Sequence, residues 1–240
     1  MDFKTKPLSS QAAIVTGGGT GIGRAFTESL AAAGASVVIA ARRKEVLHRA
    51  ADEINARLDA ERVFPYAFDV RELVQAEHLV KYVFTRFGSI DLLINNSGLA
   101  VAETVPEISE EGWDKVMDTN LRGAMWLVRA ALPHMISGGF GDIVNISSQA
   151  GKHGYADVPS YCASKFGLLG FAESLRDHVR KVGANVRVFN LCPGLVDVES
   201  KIDEAPRAGF IHVNNMARTL MFALSLDRDV VLEDISIYAR

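Results

Sequence analysis

The chain has 240 residues, a formal net charge of −3, 48% hydrophobic and 23% charged residues, so it is long enough to bury one large core and has the balance of a globular domain. Its basic residues form no run beyond Arg42-Arg43-Lys44, which argues against nucleic acid as a partner, and no apolar stretch is long enough to span a bilayer. The two cysteines, Cys162 and Cys192, make no CxxC pair, and the six histidines fall at no ligand spacing, so neither a disulfide framework nor a metal site is expected and a cytoplasmic setting is.

From the N-terminus, "MDFKTKPLSS" has no apolar signal core. The first expected strand, "AAIVT", runs from Ala12 into the glycine turn "GGGTGIG" and then a helix that Gly34 stops. "SVVIAARR" is the second strand, and Val63 to Phe68 the third. Gly88 ends the third helix before a fourth strand in "IDLLINNSG". Ser109, followed by Glu110-Glu111, reads as a helix N-cap with acids in the first turn. "GDIVNISS" is the fifth strand, and Pro159 opens the helix that carries "SYCASKFG". "NVRVFNLCPG" and "DISIYAR" supply the sixth and seventh. Strands alternating with helices predict an α/β fold. It is a Rossmann-type, doubly wound, seven-stranded parallel sheet with helices on both faces. No linker or short repeat divides the chain, so residues 1–240 are expected to form a single domain.

Two stretches carry chemistry. In the first, Gly17, Gly21 and Gly23 form a GxxxGxG turn between strand and helix. Such a turn lets the backbone approach a pyrophosphate and aims a helix N-terminus at it. Gly18 to Gly23 also has the GxxxxG spacing of a P-loop, but Arg24-Ala25 stands where Lys-Ser/Thr is needed, so a dinucleotide is expected instead. An acid at the end of the second strand would bind a ribose 2′-hydroxyl. This chain has Arg42 and Arg43 there, and guanidinium groups suit a 2′-phosphate, so the expected cofactor is NADP. In the second stretch, Tyr161 stands four residues before Lys165, one helical turn away. An ammonium there would lower the phenol pKa towards working pH, although Tyr and Lys also fall four apart on ordinary helix surface.

In chain order, Thr16-Gly17-xxx-Gly21-Ile22-Gly23, Asp69-Val70, Asn95-Asn96-Ser97-Gly98, Asn120, Ser148, Tyr161-xxx-Lys165 and Pro193-Gly194 resemble the motifs of the short-chain dehydrogenase/reductase family across nearly the whole chain. The resemblance implies that Tyr161 is the catalytic acid/base, that Lys165 lowers its pKa and holds the nicotinamide ribose, and that Ser148 holds the substrate oxygen. Ser148 is preferred to Ser147 because it lies thirteen positions before the tyrosine, the spacing of many members. Tyr155 is set aside because Gly154 and Pro159 make its surroundings unhelical and no lysine follows at the right spacing. Asn120 would support a water in the proton relay. The glycine turn, with Thr20 and Ile22, would hold the pyrophosphate. Asp69-Val70 would meet the adenine; Asn96, Ser97 and Gly98 the adenosine ribose; Pro193, Gly194 and Val196 the nicotinamide. Val198 stands where the family often has a carboxamide-binding Thr.

The implied reaction is NADP(H)-dependent hydride transfer between a carbonyl and a secondary alcohol. The alternatives are a non-catalytic NADP-binding sensor and a β-ketoacyl-thioester reductase of the same family. A lyase or epimerase on this fold would commonly retain NAD, against which the arginines argue. The ending "VVLEDISIYAR" resembles the family's small hydroxy-acid and carbonyl reductases rather than its β-ketoacyl reductases. His153 and Tyr155 are expected near the substrate, and the charges of the 195–212 segment, namely Asp197, Glu199, Lys201, Asp203, Glu204 and Arg207, are expected to be solvated loop. "LRGAMWLVRAALPHMI" from Leu121 and "FGLLGFAESL" after Lys165 are apolar on more faces than one sheet can cover. With the resemblance, they imply a homotetramer or homodimer.

Overall fold

β1 (Ala12–Thr16) begins the sheet and is followed by α1 (Gly21–Ala32), β2 (Ser36–Ala41), α2 (Lys44–Leu58), β3 (Val63–Ala67), α3 (Leu73–Phe87) and β4 (Leu92–Asn95). The second half runs α4 (Glu110–Met117), α5 (Gly123–Gly138), β5 (Gly141–Ile146), α6 (Pro159–Lys181), β6 (Val186–Pro193), β7 (Val196–Asp197), β8 (Ile211–His212), α7 (Val213–Ser225) and β9 (Asp234–Ile237). This computed structural model describes residues 5–199 and 205–240. Seven strands form one sheet in the order β3-β2-β1-β4-β5-β6-β9, parallel throughout. All seven expected strands are present, and so are the helix boundaries read at Gly34, Gly88, Ser109 and Pro159.

β1 reads as one apolar run because both of its faces are covered. Ala13 and Val15 pack on Phe26 and Leu30 of α1 and Met216 and Leu220 of α7. Ala12 and Ile14 pack on Leu79 and Val83 of α3 and Leu127 of α5. The chain builds the sheet outward from β1 to β3, then returns to place β4 on the other side of β1. That reversal opens a crevice at the C-terminal ends of β1 and β4, the usual ligand position in such sheets.

Three features lie beyond the sequence expectations. First, Asn95, Asn145 and Asn190 are buried and in register on β4, β5 and β6. Their amides link side to side at 2.9 and 3.0 Å, and Asn190 reaches Asp234 of β9 at 2.8 Å. This polar row ties four strands together just below the crevice. Second, at the opposite end of the sheet the carboxylate of Asp142 is held by Arg187 Nε at 2.8 Å and Arg228 Nη1 at 2.6 Å, all three side chains being buried. Third, β7 and β8 pair in a separate two-stranded sheet, Val196 with Ile211 and Asp197 with His212.

That small sheet corrects one expectation. Asp197 is not solvated loop: it is fully buried, accepts the Arg207 backbone N–H at 2.7 Å and pairs with the Arg207 guanidinium at 3.3 Å. A charge taken out of water needs such a partner. Lys201, Asp203 and Glu204 lie outside the described residues.

Candidate active site

The crevice holds two adjoining cavities of about 610 and 590 Å³. Ile22, Asn96, Gly98 and Leu99 line both, so they form one trough.

The first cavity is lined by Gly17, Thr20, Gly21, Ile22, Arg42, Arg43, Asp69, Val70, Asn96, Ser97 and Gly98, all expected nucleotide contacts. Gly17 and Gly21 have φ of +66° and +52°, a region that side chains with a Cβ rarely adopt. At Gly23 a Cβ would fall 2.4 Å from the Gly17 carbonyl oxygen, so helix and turn meet only because the residue is bare. Thr20 makes no capping bond through its side chain, and the first turn of α1 carries no acid. The helix's leading N–H groups therefore have no competing side-chain anion. Thr16 steadies the crossing: its hydroxyl accepts the backbone N–H groups of Asn96 and Ser97, each at 2.9 Å.

Arg42 and Arg43 are exposed and form no salt bridge among the described residues. The Asp69 carboxylate is instead gripped at both oxygens by Arg71, at 3.0 and 2.6 Å, and hydrogen bonding from Arg71 holds its pKa below the usual range. Val198 lies in this cavity against Gly21, where a Cβ would meet it at 3.3 Å. The donor set and the bare turn fit a dinucleotide.

The second cavity gathers Ser148, Tyr161, Lys165, Pro193, Gly194 and Val196. Three elements position the polar ones. Ser148 follows β5 with an extended backbone, and its hydroxyl accepts the Ala150 N–H at 3.1 Å. Tyr161 and Lys165 lie on the first two turns of α6, fixed by Pro159 at the helix start. Burial pushes the Tyr161 phenol above its ordinary pKa, and hydrogen bonding from Ser148 opposes that in part. The ammonium of Lys165 donates to the Ile146 carbonyl at 2.7 Å and stands 5.4 Å from the Tyr161 ring centre. Burial lowers the Lys165 pKa to about 8. Spacing alone suggests a phenol depressed by its lysine; burial is the largest influence on the phenol here, and the ammonium's hydrogen bond goes to β5.

Asn120 sits in a π turn, Asp118–Arg122, between α4 and α5. Its side chain is anchored within the protein: it accepts from Leu99 N at 2.9 Å and donates to Leu99 O at 2.8 Å and Ser164 Oγ at 3.0 Å. Both donors of the amide nitrogen are thereby taken, while Oδ1 keeps a second acceptor site; Asn120 Oδ1 and Lys165 Nζ both flank Gly98, 3.3 and 3.5 Å from where its Cβ would be. π turns recur at functional sites because they shift the helical hydrogen-bond ladder.

Tyr155 lines the cavity, but His153 does not: it is exposed and bonds the Gln149 carbonyl through its backbone. The turn bearing Tyr155 is held by Cys162, whose sulfur accepts the Tyr155 N–H at 3.3 Å. Gln149, Asp157, Val158 and Leu99 also line the trough and are not singled out by sequence. No group of three or more metal-ligating side chains occurs among the described residues, and no described helix is long and apolar enough to cross a membrane.

The model of the short chain dehydrogenase family matches residues 11–208. Galactitol 2-dehydrogenase of Agrobacterium fabrum is 36% identical over 197 residues, covering 80% of this chain and 73% of its own. An alcohol dehydrogenase from the archaeon Thermococcus sibiricus, solved with 5-hydroxy-NADP, superposes with a TM-score of 0.86 at 26% identity and covers 95% of this chain and 96% of its own. A short chain dehydrogenase/reductase from Burkholderia phymatum, solved with NAD, gives a TM-score of 0.86 at 27% identity, covering 97% and 90%.

Proposed function

The chain belongs to the short-chain dehydrogenase family of oxidoreductases, and from that premise we propose that it transfers hydride between NADP(H) and a small carbonyl or secondary alcohol, with Tyr161 as acid/base. One observation carries the reading: Ser148, Tyr161 and Lys165 converge on a cavity that runs without a break into the glycine-turn cavity. When bound, the nicotinamide supplies or accepts the hydride. The chain's own part is position and proton. Ser148 holds the substrate oxygen beside the Tyr161 hydroxyl. In reduction Tyr161 donates its proton to that oxygen; in oxidation it must first be phenolate. Pro193, Gly194 and Val196 wall the nicotinamide end, and Asn120 holds Leu99 and the start of α6 in place. A panel of carbonyls tested for NADPH and NADH consumption decides the matter. Nucleotide binding without turnover of any carbonyl or alcohol would leave only a sensor.

NADP preference rests on Arg42, aided by Arg43. The solved relatives include both NADP- and NAD-type complexes, so the arginines carry this point. Hydrogen bonds to charged groups are worth about 1.5–3 kcal/mol, and Arg42 is exposed, which favours the lower end. Arg42→Ala is expected to raise KM for NADPH about tenfold and leave KM for NADH nearly unchanged. Equal use of both nucleotides by the wild type would reduce the arginines to surface charge.

The assembly is proposed to be a homotetramer, or at least a homodimer, in a cytoplasmic setting. Trp113 on α4, Met125 and Ile136 on α5 and Phe166 on α6 are between 37 and 48% exposed. Isolated exposed apolar side chains are ordinary, but Met125, Ile136 and Phe166 lie on the largely apolar stretches already noted, and Trp113 lies on α4, which packs against α6. Light scattering at micromolar protein is expected to give a multiple of 26.0 kDa; a monomer alone would reject it.

A further inference from the structure

Among the hydrogen-bonding groups of the substrate cavity that proton transfer does not use, Gln149 stands next to the serine. Gln149 directly follows Ser148 and begins a short helical turn, Gln149–Gly151, so its side chain faces the same cavity as the serine hydroxyl instead of the opposite side. Its amide oxygen lies 3.5 Å from the point where a Cβ on Gly194 would stand. The backbone carbonyl of Gln149 is occupied by the N–H groups of Lys152 and His153, both at 2.9 Å, which fixes the turn. The amide, by contrast, has no hydrogen-bond partner among the described residues. A primary amide offers two donors and an acceptor, and so can meet a hydroxyl in either role.

The rest of the lining narrows the ligand. Beyond Ser148 and Tyr161, apolar groups dominate: Leu99, Ala150, Val158, Leu195 and Val196. The charged side chains that line this cavity are Lys165, already committed to Ile146, and Asp157, which is exposed at the rim. A free carboxylate or phosphate on the substrate would meet no cation other than Lys165, and one anion.

Resting on the oxidoreductase reading, we propose that Gln149 is a specificity-determining residue that selects uncharged ketones bearing a hydroxyl on the carbon next to the carbonyl, and equally the corresponding vicinal diols. The carbonyl oxygen goes to Ser148 and Tyr161, and the neighbouring hydroxyl to the Gln149 amide. Because the cavity is open to solvent, a ketone lacking that hydroxyl leaves the amide wet rather than stranded. The expected preference is therefore that of one added hydrogen bond, about two- to tenfold in kcat/KM.

The test compares acetoin with 2-butanone, which differ by that hydroxyl alone, in the full-length protein with NADPH and with NADH. Wild type is expected to favour acetoin, and Gln149→Leu to bring the ratio towards one. Gln149→Met is the second apolar variant should Leu disturb the turn. 2-Oxobutanoate, with a carboxylate beside the carbonyl, is expected to be the poorest of the three. No preference in the wild type, or an unchanged ratio in both variants, overturns the assignment of Gln149 while leaving the oxidoreductase reading intact. Efficient use of 2-oxobutanoate overturns the exclusion of charge. Failure to turn over any of these compounds or any member of a wider carbonyl panel, with nucleotide binding retained, sinks the reading and this inference together.

Discussion

Tyr161→Phe is expected to lower turnover by about 10²–10⁴-fold, the usual worth of general acid–base catalysis, with folding and nucleotide binding retained. The ring stays, so its packing in the first turn of α6 and its position over Lys165 are preserved. Only the hydroxyl leaves, the group proposed to give its proton to the substrate oxygen. The pH dependence has a sign that can be worked out. Burial raises the phenol's pKa above its ordinary value, so at neutral pH Tyr161 holds its proton. Carbonyl reduction consumes that proton and is expected to run well at neutral pH, falling only as the phenol ionises. Alcohol oxidation requires phenolate and is expected to climb with pH. Lys165 adds a second element, because with a pKa of about 8 it is an ammonium at neutral pH and becomes neutral above that value. Lys165→Ala removes the cation from the site altogether, so phenolate becomes harder to form and the oxidation profile is expected to move upward in pH. Single-turnover hydride transfer at saturating NADPH, with a carbonyl found by the panel, is the measurement. A Tyr161→Phe enzyme that transfers hydride at the wild-type rate would return Tyr161 and Lys165 to ordinary helix surface.

The strands are legible because a buried parallel strand writes itself locally, as in Ile14-Val15 and Val37-Val38-Ile39, which no helical period matches. Gly17, Gly21 and Gly23 are legible for a similar reason: backbone geometry demands bare residues there, and the demand shows at single positions. What stays hidden depends on partners far apart in the chain. Nothing near Asn95 announces that Asn145 will stand beside it, because only the register of β4 on β5 makes the pair. Asp197 looks like one more loop charge until Arg207 returns to cover it. The π turn at Asn120 has no compositional mark, and Gln149 resembles any polar residue after a strand until the helical turn aims it inward. The direction of the Tyr161 shift escapes the sequence by the same route. Spacing puts an ammonium nearby but does not show that it is turned to the Ile146 carbonyl.

The largest loss of stability is expected from Asp142→Ala. Asp142 stands near the start of β5, opposite Arg187 on β6, and both of its oxygens are engaged by guanidinium groups. Its removal leaves two buried cations facing each other with backbone carbonyls and Asn185 as their remaining partners. Burial and the neighbouring Arg187 already press the Arg228 pKa downward, and Asp142 is what opposes them. Breaking a buried pair by deleting one side costs about 3–5 kcal/mol, which for a chain of this size lowers Tm by about 6–20 °C. Deleting all three charges together, by combining Asp142→Leu with Arg187→Met and Arg228→Met, is expected to recover most of that loss, since apolar packing can replace a buried ion cluster. Calorimetry at one fixed protein concentration checks both, because association would otherwise enter the midpoint. The cluster lies at the far end of the sheet from the trough, yet on the strand that leads to the Ile146 carbonyl and Ser148. KM and kcat of the single variant at low temperature should therefore match wild type, with activity lost on heating in step with unfolding. A loss below about 1 kcal/mol would mean that water reaches the cluster and shares its hydrogen bonds.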